Sequence, residues 1–77
     1  MANKEHYVYT SLGRAYAYNG DLDKAETALM KALTLSMKVK RHYPELYQWL
    51  GYVNLRKGEF EEALMYFKKL PNLVQKE

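Results

Sequence analysis

The chain has 77 residues, 48% hydrophobic and 27% charged, which suits one small globular domain or a piece of a larger one and excludes simple disorder. It has no cysteine, so disulfides, iron–sulfur clusters and thiolate zinc sites are excluded. Twelve Lys and Arg against nine Asp and Glu give a charge of +3, too mild and too evenly mixed to argue for nucleic acid by itself.

The first predicted element is a helix near residues 5–18, where Tyr9, Leu12, Ala15 and Tyr16 recur at helical spacing and make an apolar stripe. Asn19-Gly20 ends it, since Gly accepts the left-handed conformation needed just past a helix C-terminus. A second helix follows near 22–40, with Asp21 as its expected N-cap and Asp23 in the first turn, where the helix dipole favours negative charge. Ala25, Ala28, Leu29, Ala32, Leu33 and Leu35 form its apolar face. Pro44 suits the first turn of a third helix near 44–57, where its missing N–H has no partner to lose. Leu46, Tyr47, Leu50 and Val53 give that helix its stripe. Lys57-Gly58 repeats the stop and Glu59 the restart. A fourth helix near 60–70 then carries Phe60, Ala63, Leu64, Phe67 and Leu70, and Pro71 cuts it off. Residues 72–77 read as a frayed or short helical end.

A duplication underlies these elements. Laying Gly13 over Gly51, an offset of 38 residues, matches Tyr9 with Tyr47, Leu12 with Leu50 and Gly20 with Gly58. The same offset pairs Asp21 with Glu59, Leu22 with Phe60, Asp23 with Glu61, Ala25 with Ala63 and Leu29 with Phe67. Chance matches apolar pairs at any offset, but not both glycines, both acids and the alanine together. Gly13 and Gly51 fall inside helices, where Gly costs about 1 kcal/mol relative to Ala. Their recurrence predicts a close helix–helix approach, with Ala25 and Ala63 as the small residues facing it. The fold class is therefore all-α: four antiparallel helices in two stacked helix-turn-helix hairpins. They form a single domain over 1–77, with repeat 1 about 5–41 and repeat 2 about 43–77.

This arrangement resembles the tetratricopeptide repeat, whose pattern runs W-x2-L-G-x2-Y, then A-x3-F, then a terminal Pro. The first unit supplies Tyr9, Leu12-Gly13, Tyr16, Ala25, Leu29 and Ala32; the second supplies Tyr47, Leu50-Gly51, Ala63 and Phe67. The G-[DE]-[LF]-[DE]-x-A turn at Gly20 to Ala25 and Gly58 to Ala63 is also typical of that family. Asn54 stands where the pattern has Tyr, and Met37 where the first terminal Pro belongs. The spacing is 38 rather than 34, and the surplus falls in 37–43, which predicts a lengthened second helix. Long-spaced repeats of this kind are similar to those of peptide-sensing regulators and kinesin light chains, and one interval does not choose between them.

The resemblance implies a non-enzymatic protein–protein interaction module that binds a peptide or partner helix on the concave face of the first helices. By that analogy the groove carries Tyr7, Ser11, Arg14 and Tyr18 from the first helix, and Glu45, Trp49, Tyr52 and Arg56 from the third. Each set keeps one helical side, and Trp, Tyr and Arg dominate binding hot spots. Two arginines beside aromatics suit an acidic or amphipathic ligand. Chaperone-binding members hold a C-terminal carboxylate with Lys and Asn on the first helix and Asn on the third. The matching positions here are Thr10, Arg14 and Trp49, so that ligand is not expected.

A second reading is structural. Repeat units bury their faces against neighbours, and about three are usually needed. Met65, Tyr66, Leu70, Leu73 and Val74 are expected to form a self-association end, in a homodimer (a domain-swapped one exchanging helices across 39–44 included) or in a longer array. A third reading takes Lys38, Lys40 and Arg41 as a phosphate contact of a nucleic-acid-associated regulator; the simpler role is to offset the helix dipole.

Catalysis, cofactors and metals find no support. His6 and His42 are not spaced as ligands and are expected to be exposed near helix starts. Ser11 and Ser36 lack a nucleophile elbow, and no glycine pattern for phosphate binding is present. The longest uncharged stretch, residues 46–55, is too short to span a bilayer, and no secretory core follows Lys4 and Glu5. A cytoplasmic setting without membrane partners is expected.

Overall fold

A computed structural model describes residues 5–41 and 43–70. Its four helices, α1 (Glu5–Tyr18), α2 (Leu22–Lys38), α3 (Pro44–Arg56) and α4 (Phe60–Lys68), form two hairpins, α1 against α2 and α3 against α4. The α2 and α3 helices pack together at the centre, and no strand occurs among the described residues.

Each of the first three helices ends in the same hydrogen-bonded stop. After α1, Gly20 stands at φ +84°, its N–H bonds the Ala17 carbonyl at 3.1 Å, and the Asp21 N–H bonds that of Tyr16 at 2.9 Å. After α3, Gly58 at φ +83° does the same toward Leu55 and Asn54. These paired bonds satisfy carbonyls that a helix end leaves open. The stop after α2 falls two residues earlier than expected and uses no glycine. Lys40 takes φ +56°, with its N–H bonded to Met37 and that of Arg41 to Ser36. The cap expectation for α2 holds in position but not in bonding. Asp21 occupies the N-cap without a side-chain cap bond, because its Oδ2 accepts the Asn19 Nδ2 hydrogen bond at 2.9 Å instead. Pro44 opens α3 as the sequence predicts.

Both helix-interior glycines are buried at the hairpin contacts. A Cβ built on Gly13 would lie 2.6 Å from Leu29 Cγ and 3.2 Å from the Ala25 carbonyl oxygen. One on Gly51 would lie 2.6 Å from the Phe67 ring. The close approach is as expected, but Leu29 and Phe67 fill it rather than the alanine side chains. Ala25 and Ala63 are nevertheless buried, at 0% and 2% exposure. The core joins Ala17 of α1, Ala25, Leu29 and Ala32 of α2, Leu46, Leu50 and Val53 of α3, and Tyr66 of α4.

Three expectations about faces are corrected. On α1 the buried side is His6, Thr10, Gly13 and Ala17, while Leu12 and Ala15 of the apolar stripe are exposed and Tyr9 and Tyr16 half-buried. His6 is not exposed. It is buried under Tyr43, ring centroids 3.8 Å apart, and the Thr10 hydroxyl bonds its carbonyl at 2.7 Å. On α4, Phe60 and Leu64 face solvent, and Tyr66, expected at an exposed end, is buried with its ring stacked against Tyr47. Tyr66 turns inward because its hydroxyl reaches the Met30 sulfur of α2 at 3.4 Å. Of the other residues expected at that end, Met65 is exposed and Leu70 half-buried, while Leu73 and Val74 lie outside the described residues, as do His42 and Pro71.

Candidate protein-interaction surface

The α1 and α3 helices touch, and several of the residues expected to share a groove make contacts between or along them. Tyr18 and Trp49 meet edge to face at 5.3 Å between ring centroids, and Trp49 meets Tyr52 the same way at 5.6 Å. The three rings form an aromatic strip across the two hairpins, with Gln48 beside them. Tyr18 is 77% exposed and Tyr52 36%, while Trp49 is half-buried between them. Arg56 closes one end. Its guanidinium lies 5.6 Å from the Tyr52 ring centroid and donates to the Tyr52 hydroxyl at 2.6 Å.

Arg14 donates to Glu45 at 2.8 Å, an ion pair exposed on both sides that ties α1 to α3. The sequence places both residues on the groove but not their union. Pairing across 31 residues depends on how the hairpins stack, which no local pattern records. One consequence bears on the ligand: Arg14 already holds a carboxylate, so an incoming acid must displace Glu45. Exposed pairs of this kind contribute about 0–1 kcal/mol, so displacement is possible but gains little.

Tyr7 and Ser11 lie further along α1, both exposed. Tyr7 stands beside a second depression lined by His6, Thr10, Tyr43, Pro44 and Glu45, its ring 6.1 Å from that of Tyr43. Tyr43 is the residue that sequence reasoning missed. It precedes α3, where helical periodicity assigns no face. Seven of the expected residues thus fall into two groups of contacts, and Ser11 is exposed without a described contact to either. The aromatic strip and Arg56 lie toward the C-terminal ends of the helices, and Tyr7 with the Arg14–Glu45 pair toward the N-terminal ends.

A family model described as Tetratricopeptide repeat matches residues 5–75, nearly the whole chain. The chain belongs to the tetratricopeptide repeat family. That family is a non-catalytic repeat whose members generally mediate protein–protein interaction, and this member carries its two repeats as the α1–α2 and α3–α4 hairpins. No curated protein and no solved structure matches the chain. Among the described residues no helix of this repeat protein is long and apolar enough to cross a membrane, and no cluster of three potential metal ligands occurs.

Proposed function

We propose that the chain is a peptide-binding module whose α1–α3 face receives one side of an amphipathic partner helix or extended segment. The observation that carries the reading is the Tyr18–Trp49–Tyr52 strip. Three large aromatic rings on neighbouring helices stay at least partly open, and the middle one, Trp49, packs against the buried core. Aromatic side chains of this kind supply large contact area at low entropic cost and recur as binding hot spots. The Arg14–Glu45 pair and Arg56 border the strip with both charge signs. An apolar or aromatic anchor with mixed polar flanks therefore suits the face better than a bare carboxylate.

The test is selection of displayed random peptides on the intact chain, with Trp49 emission as an independent monitor. Selected peptides should quench or shift the Trp49 emission, and Tyr52→Ala and Tyr18→Ala should each weaken their binding about tenfold or more. Peptides that bind both variants as tightly as the parent chain would place the site elsewhere and reject the reading.

A further inference from the structure

The internal duplication allows each repeat to be compared with the other, and the comparison reveals an unfilled place. In the second repeat, Leu46, Leu50 and Val53 of α3 are buried at 1%, 0% and 0% exposure in the core shared with α2. Their counterparts 38 residues earlier are Val8, Leu12 and Ala15 of α1. These are exposed, Val8 at 63% and Leu12 at 41%, with no described element over them. The second difference is at Ala28, the counterpart of Tyr66. The Tyr66 ring fills the space between α3 and α4 and stacks against Tyr47. Ala28 fills nothing equivalent beside Tyr9, and a groove of roughly 480 Å³ lies open there, walled by Tyr9, Leu12 and Tyr16. Lys24 stands 5.8 Å from the Tyr16 ring centroid and Lys31 5.9 Å from that of Tyr9, so two cations flank the aromatic walls. Asp23 also borders the groove, but its charge is answered by Lys57 at 2.9 Å.

The opposite end of the molecule carries the complement. In the first repeat, the start of α2 lies against the second repeat: Leu22 packs on the core, and Asp23 and Glu26 reach Lys57 of the following hairpin. The counterparts of Leu22, Asp23 and Glu26 are Phe60, Glu61 and Leu64 at the start of α4. All three are exposed, Phe60 at 65% and Leu64 at 55%, and Glu59 and Glu62 stand exposed beside them. An apolar knob set among three carboxylates thus faces away from the molecule at one end. An aromatic groove flanked by two lysines faces away at the other.

We infer that the groove of Tyr9, Leu12 and Tyr16 receives Phe60 and Leu64 of a second copy of this chain, whose Glu59, Glu61 and Glu62 meet Lys24 and Lys31. The docking is like the stacking between the two hairpins in kind but not in its ion pairs: the counterpart of Lys57 is Asn19, so the carboxylates of α4 turn to Lys24 and Lys31 instead. Apolar contact supplies the adhesion, and the opposed charges select the direction. Such a head-to-tail contact uses a different patch on each partner, so it leaves both patches free at the ends of a pair and propagates beyond a dimer. It leaves the Tyr18–Trp49–Tyr52 strip outside the contact and is independent of the peptide-binding reading.

Sedimentation of the full chain from micromolar to millimolar concentration tests the inference. The weight-average mass should rise continuously beyond that of a dimer. Phe60→Ser removes the knob, and Lys24→Glu with Lys31→Glu reverses the groove. Each should move association to at least about tenfold higher concentration. All three positions are solvent-exposed, so unchanged helical circular dichroism is expected of both variants. Mixed in equal amounts, the variants should form a one-to-one dimer and nothing larger, because one retains the groove and the other the knob. Tyr52→Ala should leave association unchanged. A parent chain that stays monomeric, one that stops at a closed dimer, or variants that fail to combine would each overturn the inference.

Discussion

At the scale of single residues, the two helix-interior glycines mark where the paired helices touch, and what an added side chain would strike differs between them. At Gly13 an added methyl meets both the branch point of Leu29, a fully buried side chain, and the Ala25 carbonyl oxygen of the backbone. Neither can retreat without moving α2. At Gly51 the nearest obstacle is the Phe67 ring, which is half-buried and can swing outward. Overpacking a core costs about 1–3 kcal/mol, and replacing a helical Gly by Ala returns up to about 1. Gly13→Ala should therefore lose about 1–2 kcal/mol of stability in urea denaturation, while Gly51→Ala should change it by less than about 1 kcal/mol. A larger loss at Gly51 than at Gly13 would contradict this account of the two contacts. The same scale explains the error on α4. The series 60, 63, 64, 67 and the series 63, 66, 67, 70 both satisfy helical spacing. What selects the second is a long-range partner for Tyr66, the Met30 sulfur, which periodicity cannot supply.

At the scale of elements, the helix stops at Gly20 and Gly58 could be read directly, because glycine is the residue that tolerates their positive φ. The α2 stop could not, since nothing in Lys38-Val39-Lys40-Arg41 announces a left-handed residue. Lys40 adopts that conformation to complete the bonds from Lys40 to Met37 and from Arg41 to Ser36. A side chain there costs about 1–2 kcal/mol that glycine does not, partly offset by the greater freedom glycine loses on folding. Lys40→Gly should accordingly stabilise the protein by about 0.5–1 kcal/mol. Lys38→Gly, two residues earlier and still inside α2, should destabilise it by a similar amount. Equal effects of the two substitutions on the thermal midpoint would mean that the left-handed turn is not what ends the helix. The three basic residues at this stop are all exposed, and Lys38 lies in the last turn of α2, where its charge opposes the helix dipole.

At the scale of the whole molecule, the two hairpins are joined by an apolar core and, at the end of α3, by Lys57. Its ammonium bonds Glu26 at 2.5 Å and Asp23 at 2.9 Å, both on α2. Those hydrogen bonds, that of Glu26 first, hold the Lys57 pKa well above the ordinary lysine range. Across the same interface, burial pushes the Tyr66 phenol up, and the charge of Glu26 adds to the effect. Both groups keep their protons more tightly in the folded chain than in the unfolded one. Their linkage therefore has one sign: stability is intact below the unfolded values of about 10–10.4 and falls as the pH rises through the raised folded values. The docking of the hairpins should be steady between neutral pH and about pH 9, then weaken above about pH 10. Urea midpoints measured along that range should show the decline in the parent chain, a shallower one in Lys57→Gln and in Tyr66→Phe, and the shallowest in the double variant. If the double variant declined as steeply as the parent, the alkaline sensitivity would lie outside this interface, and Lys57 would be an ornament of the surface rather than a tie between the repeats.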